Sequence, residues 1–308
     1  MKIIITGIYP RSENLVSATR DFDRKRISTE ELEAVRKDDT ADFLKLQKGF
    51  KYKSNGLFNW QDLIRPFSEI IENCKVGGLV RFYETNTFVK ELEFVDRPVV
   101  NKEKLDEWIK RYFLPDITDK NHSNTLFTLP FLYLLKTFSS GISTDRIAEI
   151  LIDIIPNLPV SDKSAICFIE PTFGFRKIED DDIKEGISFL DNIKSKINCP
   201  VFINTFFFPI RDNKKFIFNL PTDGIGVDFY ANSLSEIMDG FPSGRSLIAG
   251  IMNVNSTLIE ERERILTFTE KLKGFIQSDN IYLSTNGPPE LLPKIIMDEK
   301  VKNLQEII

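Results

Sequence analysis

The run Ser164-Ala-Ile-Cys-Phe-Ile-Glu-Pro-Thr-Phe173 is apolar until it closes on an acid and a proline. A strand covered on both faces reads as one continuous hydrophobic stretch, because neither side meets water. The pattern recurs at Val201-Phe-Ile-Asn204, Ile225-Gly-Val-Asp228 and Ile281-Tyr-Leu-Ser-Thr-Asn286. Each run ends on a polar side chain, and in a β/α barrel the chemistry collects where parallel strands end. Glu170, Asn204, Asp228 and Asn286 are therefore candidate site residues. The structural alternative for Glu170 is an acid at a loop edge, and for Asp228 the cap of a turn.

Length and charge narrow the class. A chain of 308 residues matches one α/β barrel with insertions, so residues 1–308 are expected to form a single domain. Charged residues make up 28% with a formal net charge of −5, which gives no support to a nucleic-acid partner. No window has the apolar length needed to cross a bilayer. The opening Met-Lys-Ile-Ile-Ile-Thr-Gly is too short an apolar run for a signal peptide and reads as a first strand. Cys74, Cys167 and Cys199 lack CxxC spacing, so buried free thiols in a reducing cytoplasm are expected. His122 is the single histidine, which argues against a His-based triad or a His-rich metal site, and its polar surroundings read as a solvated loop.

Strands and helices alternate along the chain. A strand over 2–6 is followed by a helix opened by the capping box Ser28-Thr-Glu-Glu31, running to about Lys48. A second helix is expected over 60–73, then a β-hairpin near 77–97 turning at Glu84-Thr-Asn86, and a helix over 102–113 stopping at Pro115. Further strands are expected over 125–129, 165–169, 201–207, 226–229, 247–252 and 281–284. Helices are expected over 131–137, 144–155, 182–196, 234–238 and 260–275, and from about Leu292 onward. With about eight strand candidates and no Gly-rich phosphate fingerprint, the expected fold is an α/β (β/α)8 TIM barrel with that hairpin as an insertion.

Several motifs in order carry a family resemblance. Gly7-Ile-Tyr-Pro-Arg11, Arg26-Ile-Ser-Thr-Glu-Glu31, Ser54-Asn-Gly-Leu-Phe-Asn-Trp60, Asp62 and Arg65-Pro66 resemble the opening of a cobalamin-independent methionine synthase barrel. The likeness continues through Leu129-Pro130, Ile169-Glu170-Pro171, Leu220-Pro-Thr-Asp-Gly-Ile-Gly-Val-Asp228, Ala249-Gly250 and Leu291-Leu292-Pro293. The family's usual enzyme carries two such barrels: a metal-free N-terminal one and a catalytic C-terminal one with zinc. The resemblance implies a zinc-activated homocysteine thiolate that attacks the methyl group of a reduced folate.

Set against that pattern, this chain reads Asn204-Thr205-Phe206 where the family places His-x-Cys. Asp228 stands at the carboxylate position, and the late cysteine falls near Gly287. Three of four zinc ligands are missing, so no metal is expected there. The Asp-Gly-Glu motif becomes Asn55-Gly56-Leu57, and the Asp-Glu-Pro motif becomes Ile169-Glu170-Pro171. The pattern stands closer to the metal-free barrel, for which the resemblance implies shaping the domain interface and gripping the donor's polyglutamate tail. The basic cluster expected after the first strand is thinned to Arg11.

The substrate-binding candidates are Tyr9, Arg11, Asn55, Trp60, Arg65, Arg81, Glu170, Asn204, Asp228 and Asn286, with no catalytic residue assigned. Trp60 suits either core packing or stacking on a pterin. Arg65 and Arg81 suit either a bidentate carboxylate clamp or surface ion pairs. Phe206-Phe207-Phe208 reads as a packed strand end and interface patch. Three functions follow. The first is a donor-binding or accessory subunit working with a separate zinc-bearing methionine synthase barrel, with a reduced pterin or folate as methyl donor. The second is a free-standing homocysteine methyltransferase taking its methyl group from a pterin or corrinoid. The third is a non-catalytic barrel for a small acid or tetrapyrrole, related to uroporphyrinogen decarboxylase.

Overall fold

The computed structural model describes residues 1–113 and 124–307; His122 and Pro115 lie outside them. In chain order the first half runs β1 (Lys2–Ile3), α1 (Glu13–Asp23), α2 (Thr29–Leu46), β2 (Ile71–Arg81), β3 (Phe88–Val100), α3 (Lys102–Phe113), β4 (Leu126–Pro130), α4 (Leu132–Thr137), β5 (Ser139–Ser140) and α5 (Thr144–Ile154). The second half runs β6 (Ala165–Ile169), α6 (Thr172–Phe175), α7 (Asp180–Lys196), β7 (Val201–Asn204), α8 (Lys214–Asn219), β8 (Gly224–Asp228), α9 (Leu234–Met238), β9 (Ser246–Met252), α10 (Arg262–Lys273), β10 (Ile281–Thr285) and α11 (Lys294–Ile307). Among the described residues no helix is long and apolar enough to cross a membrane.

Seven strands pair in parallel in the order β1-β10-β9-β8-β7-β6-β4. Every residue of β6, β7 and β8 is buried, as continuous apolar runs require. The sheet is curled. β1 and β7 stand four places apart in that order, so a flat sheet would hold their side chains about 19 Å apart. Instead Asn204 Nδ2 donates to Thr6 Oγ1 at 3.0 Å. Inside the curl, the Tyr52 ring lies 5.9 Å from that of Phe202 and 6.1 Å from that of Tyr282, filling the end where these strands begin.

The ladder is open between β1 and β4, and a short segment runs between them. Lys53 N donates to Asn124 O at 2.7 Å and Lys53 O accepts from Leu126 N at 2.8 Å, beside β4. Just beyond β1, Tyr9 N donates to Gly56 O at 2.9 Å.

A second sheet holds β2, β3 and β5, with β2 antiparallel to β3. The two strands are longer than the 77–97 hairpin expected from sequence, and the turn between them falls where expected. The capping box of α2 is present: Glu31 N donates to Ser28 Oγ at 3.2 Å, and Ser28 N donates to Glu31 Oε2 at 2.8 Å. α1 was not anticipated, because Leu15 is its one buried residue and so thin an apolar stripe gives no periodicity to read.

Three expectations are corrected. The helix expected over 60–73 is a 3-10 turn over Arg65–Glu69 followed by β2. Pro66 brings no N–H to a helical ladder, and Asp62 Oδ1 takes the N–H groups of Ile64 at 2.9 Å and Arg65 at 2.6 Å, which favours a tight turn. The strand expected over 201–207 ends at Asn204, because Phe206 adopts a left-handed φ of 52° and its N–H turns back to Asn204 Oδ1. Of the three free thiols, Cys167 is buried as expected, but Cys74 and Cys199 are only half-buried.

Candidate functional site

The strands of the parallel sheet deliver Thr6, Glu170, Asn204, Asp228 and Asn286 to one end of the curl, all buried. Asn204 Nδ2 bonds Thr6 and its Oδ1 accepts Phe206 N at 3.2 Å, so both ends of the amide are engaged. The amide lies on Gly226, where a Cβ would stand 2.4 Å from Asn204 Oδ1, so only glycine fits beneath it. Asp228 Oδ1 accepts from Tyr230 N at 2.6 Å and Ala231 N at 3.3 Å, which makes it the cap of its own turn. Burial pushes its carboxyl up to about 6, opposed by those amides and by a hydrogen bond from Asn286. Asn286 Oδ1 accepts Val254 N at 2.9 Å. Asp228 and Asn286 are thus brought together.

Glu170 does not open onto a cleft. It is fully buried, with Oε2 accepting Leu134 N at 2.8 Å and Oε1 accepting Thr172 N at 3.0 Å. α4 begins after Phe131, a residue without a capping oxygen, and Glu170 supplies that oxygen from the neighbouring strand. Burial raises its carboxyl to about 7, against the pull of these hydrogen bonds.

On the β1 side lies a charged cluster. Half-buried Arg11 donates through its guanidinium to Trp60 O, while its Nε is buried without a partner. Glu290, whose N–H donates to Ile8 O at 3.1 Å, is pushed up to about 7 by burial, with the Arg11 charge opposing and Asp62 adding to the rise. Asp62 Oδ2 also holds Arg65 Nε at 3.2 Å and accepts Lys90 N at 3.2 Å. Arg11 thus feels the charges of Glu290 and Asp39, with Arg36 and Arg65 nearby, while Arg65 is bound to Asp62; sequence reasoning named Arg11 and Arg65 and missed Glu290, which sits in a Pro-Glu turn with no apolar run to mark it.

The other candidates are built into the core or lie apart. Tyr9 is buried, stacks on Phe43 at 3.9 Å between centroids and donates its hydroxyl to Asp298 Oδ1 at 2.6 Å. Asn55 Nδ2 and Trp60 Nε1 both donate to Tyr112 O at 3.2 Å. Trp60, 0% exposed, is enclosed by Phe67, Trp108, Tyr112 and Phe113, which offers no stacking surface to a ligand. Arg81 is exposed at the end of β2.

The mouth itself is filled with rings. The Phe206 ring reaches Gly7 and is fully buried. Phe207 and Val254 both lie against Gly287, and the Phe207 ring is 6.4 Å from that of Phe82 and 6.3 Å from that of Tyr83 at the hairpin tip. Tyr83 hydroxyl shares a 2.6 Å hydrogen bond with Thr172 Oγ1, which pins the tip over β6. Phe208 and Tyr83 both contact Phe175, 47% exposed at the outer edge. The hairpin's part in this cap was not legible in sequence, since Phe82 and Tyr83 lie far from the Phe206–Phe208 run along the chain.

This arrangement does not fit the zinc that the resemblance brings to mind. Asn204 is engaged at both ends, Asp228 caps a turn, and a Cβ at Gly287 would stand 2.9 Å from both Phe207 and Val254. Among the described residues no three His, Cys, Asp or Glu side chains converge on a point.

Comparison with known proteins places the chain. It is 23% identical over 268 residues to a 5-methyltetrahydropteroyltriglutamate–homocysteine methyltransferase of Lactococcus lactis subsp. cremoris, covering 84% of this chain and 34% of that one. A Streptococcus thermophilus protein of the same description is 29% identical over 155 residues, 46% of this chain and 20% of its own. The chain thus spans about a third or less of these relatives' length. A B12-independent methionine synthase from Shewanella sp., solved with selenomethionine, superposes with a TM-score of 0.72 at 16% identity over 99% of this chain and 96% of its own. A methyltransferase from Methanosarcina mazei follows at 0.62 and 11% identity, over 99% and 94%. Residues 78–277 match the family model described as the N-terminal domain of cobalamin-independent synthase, and the chain belongs to that family.

Proposed function

We propose that the chain is a closed (β/α)8 barrel, with residues 53–56 in the eighth strand position and the β2–β3 hairpin as an insertion. We propose that it serves as a metal-free, donor-binding or accessory barrel. In this reading it works with a zinc-bearing methionine synthase barrel in methyl transfer from a reduced pterin or folate to homocysteine, in the cytoplasm. The observation that carries the reading is the mouth: the Phe206 and Phe207 rings pack on Gly7 and Gly287 at the end of the curl that holds Asn204 and Asp228, and both of those side chains already bond their own backbone or a neighbour. A thiol would find no cation there to lower its pKa. Arg11, whose buried Nε has no partner, is the group that would meet the donor's carboxylates, since Arg65 is already held by Asp62. A family match to the N-terminal domain supports the same assignment.

The test mixes this protein with a separately purified zinc-bearing barrel of the family, methyl donor and homocysteine, and measures methionine. A rate that rises with this protein and saturates supports the reading. An unchanged rate sinks it. Methionine made by this polypeptide alone, with one zinc per chain by metal analysis, would establish the free-standing methyltransferase instead.

A further inference from the structure

We propose that Phe206–Phe208 is a hinged strap with two positions: the closed one described above and an open one that uncovers the polar groups at the barrel mouth. The proposal concerns the motion of this chain alone and holds whether or not a second barrel works with it.

Three observations carry it. The closed strap is strained. Phe206 has φ 52° and Phe208 φ 81°, both in the left-handed region where a Cβ crowds the following carbonyl and where a bulky side chain is an outlier. Such strain persists only where the surroundings impose it, and it clusters at segments that move. The strap is also fixed at two points and held by rings between them. At one end Asn204 Oδ1 takes Phe206 N. At the other, Asn232 Oδ1 takes Ile210 N at 3.0 Å, while its amide donates to Phe208 O at 3.1 Å and Asp228 O at 2.9 Å. Both asparagines are buried, and their bonds to the strap amides are the latches that release when it opens. Phe207, between them, is held by ring contacts with Phe82, Tyr83 and Phe208, which carry no directional bond.

Lastly, the closed state covers buried polar groups. Ser284 is fully buried. It lies two residues beyond Tyr282, whose ring packs on Phe202 inside the curl, so it faces inward on the same side of β10. Thr6 and Asn204 face the same interior. These polar side chains are what an open strap would expose.

The experiment places a thiol on the strap. Phe207→Cys is made in a Cys74→Ser, Cys199→Ser background, leaving Cys167 in β6 as the buried internal reference. Native-state labelling with a thiol-reactive disulfide is followed against low urea. The strap thiol is expected to react at least tenfold faster than Cys167, at a rate nearly independent of urea, as local opening requires. Adding Phe208→Gly is expected to slow that labelling about fivefold relative to Phe208→Ala, since both remove the ring and only glycine holds a positive φ freely. Parallel labelling of both thiols with the same urea dependence overturns the proposal, as do equal rates for the glycine and alanine variants. Should Phe207→Cys fail to fold, hydrogen exchange on the unaltered protein decides. The amides of Phe206 and Ile210 are expected to exchange at least tenfold faster than that of Ile203 in β7, and equal protection overturns the two-position strap.

Discussion

Glu170→Gln isolates the energetics of a charge held inside this fold. The carboxyl is fully buried and rises from the ordinary 4.5 to about 7. Because the folded value lies above the unfolded one, the native state keeps a proton that the unfolded chain has already released between those pH values. Stability therefore falls as pH rises through that window, by about 3 kcal/mol at 1.36 kcal/mol per pH unit. Glutamine never ionises, so it removes this slope. It also offers one acceptor oxygen where the carboxyl group, protonated at pH 5, can still accept at both oxygens from Leu134 N and Thr172 N, so one buried N–H is left unpaired at a cost of about 1–3 kcal/mol. The variant should thus be the less stable protein at pH 5, and the gap should close or reverse by pH 9. Asp228 and Glu290 are raised in the same direction and are common to both proteins, so they cancel in the difference. Urea unfolding of the pair at unit pH steps measures it. A stability difference that stays constant within about 0.5 kcal/mol from pH 5 to pH 9 would refute the reasoning.

Three further outcomes are expected. Lys300→Met should destabilise the protein by about 3–5 kcal/mol, because Lys300 is fully buried against Glu260 Oε1 at 2.7 Å and its loss strands a buried carboxylate; pairing it with Glu260→Gln should recover much of that in urea unfolding. Trp60→Ala should cost about 3–5 kcal/mol through the cavity left among Phe67, Trp108 and Phe113, read from the denaturation midpoint. Asn204→His with Phe206→Cys restores the family's His-x-Cys pair and should still yield a protein with far less than one zinc per chain by mass spectrometry, because Asp228 caps a turn and no ligand stands near Gly287.

The parallel strands were legible because burial on both faces writes an unbroken apolar run, and β6 was located to the residue. Helices with a capping signature or a clear apolar stripe, α2 and α3 among them, were equally readable. What escaped was set by single side chains reaching backbone: Asp62 turning 60–70 away from a helix, and Asn204 ending β7 early. The site was half legible. Strand ends singled out Glu170, Asn204, Asp228 and Asn286 as candidates facing a cleft; the structure buries all four at one end of the curl, and a strand end does not reveal what the side chain bonds. Glu170 caps a helix 36 residues earlier in the chain, and the aromatic cap joins a hairpin to a loop more than 100 residues later; such pairings arise only from tertiary packing.

The pairing of β1 with β10, and the Tyr9 hydroxyl's bond to Asp298 in α11, set an order of events on the ribosome. Residues 1–10 emerge long before residues 281–307, so β1 must wait for β10 before it can pair. Translation that stalls between β9 and β10 would strand an intermediate with a raw seam, the species on which a chaperone would act.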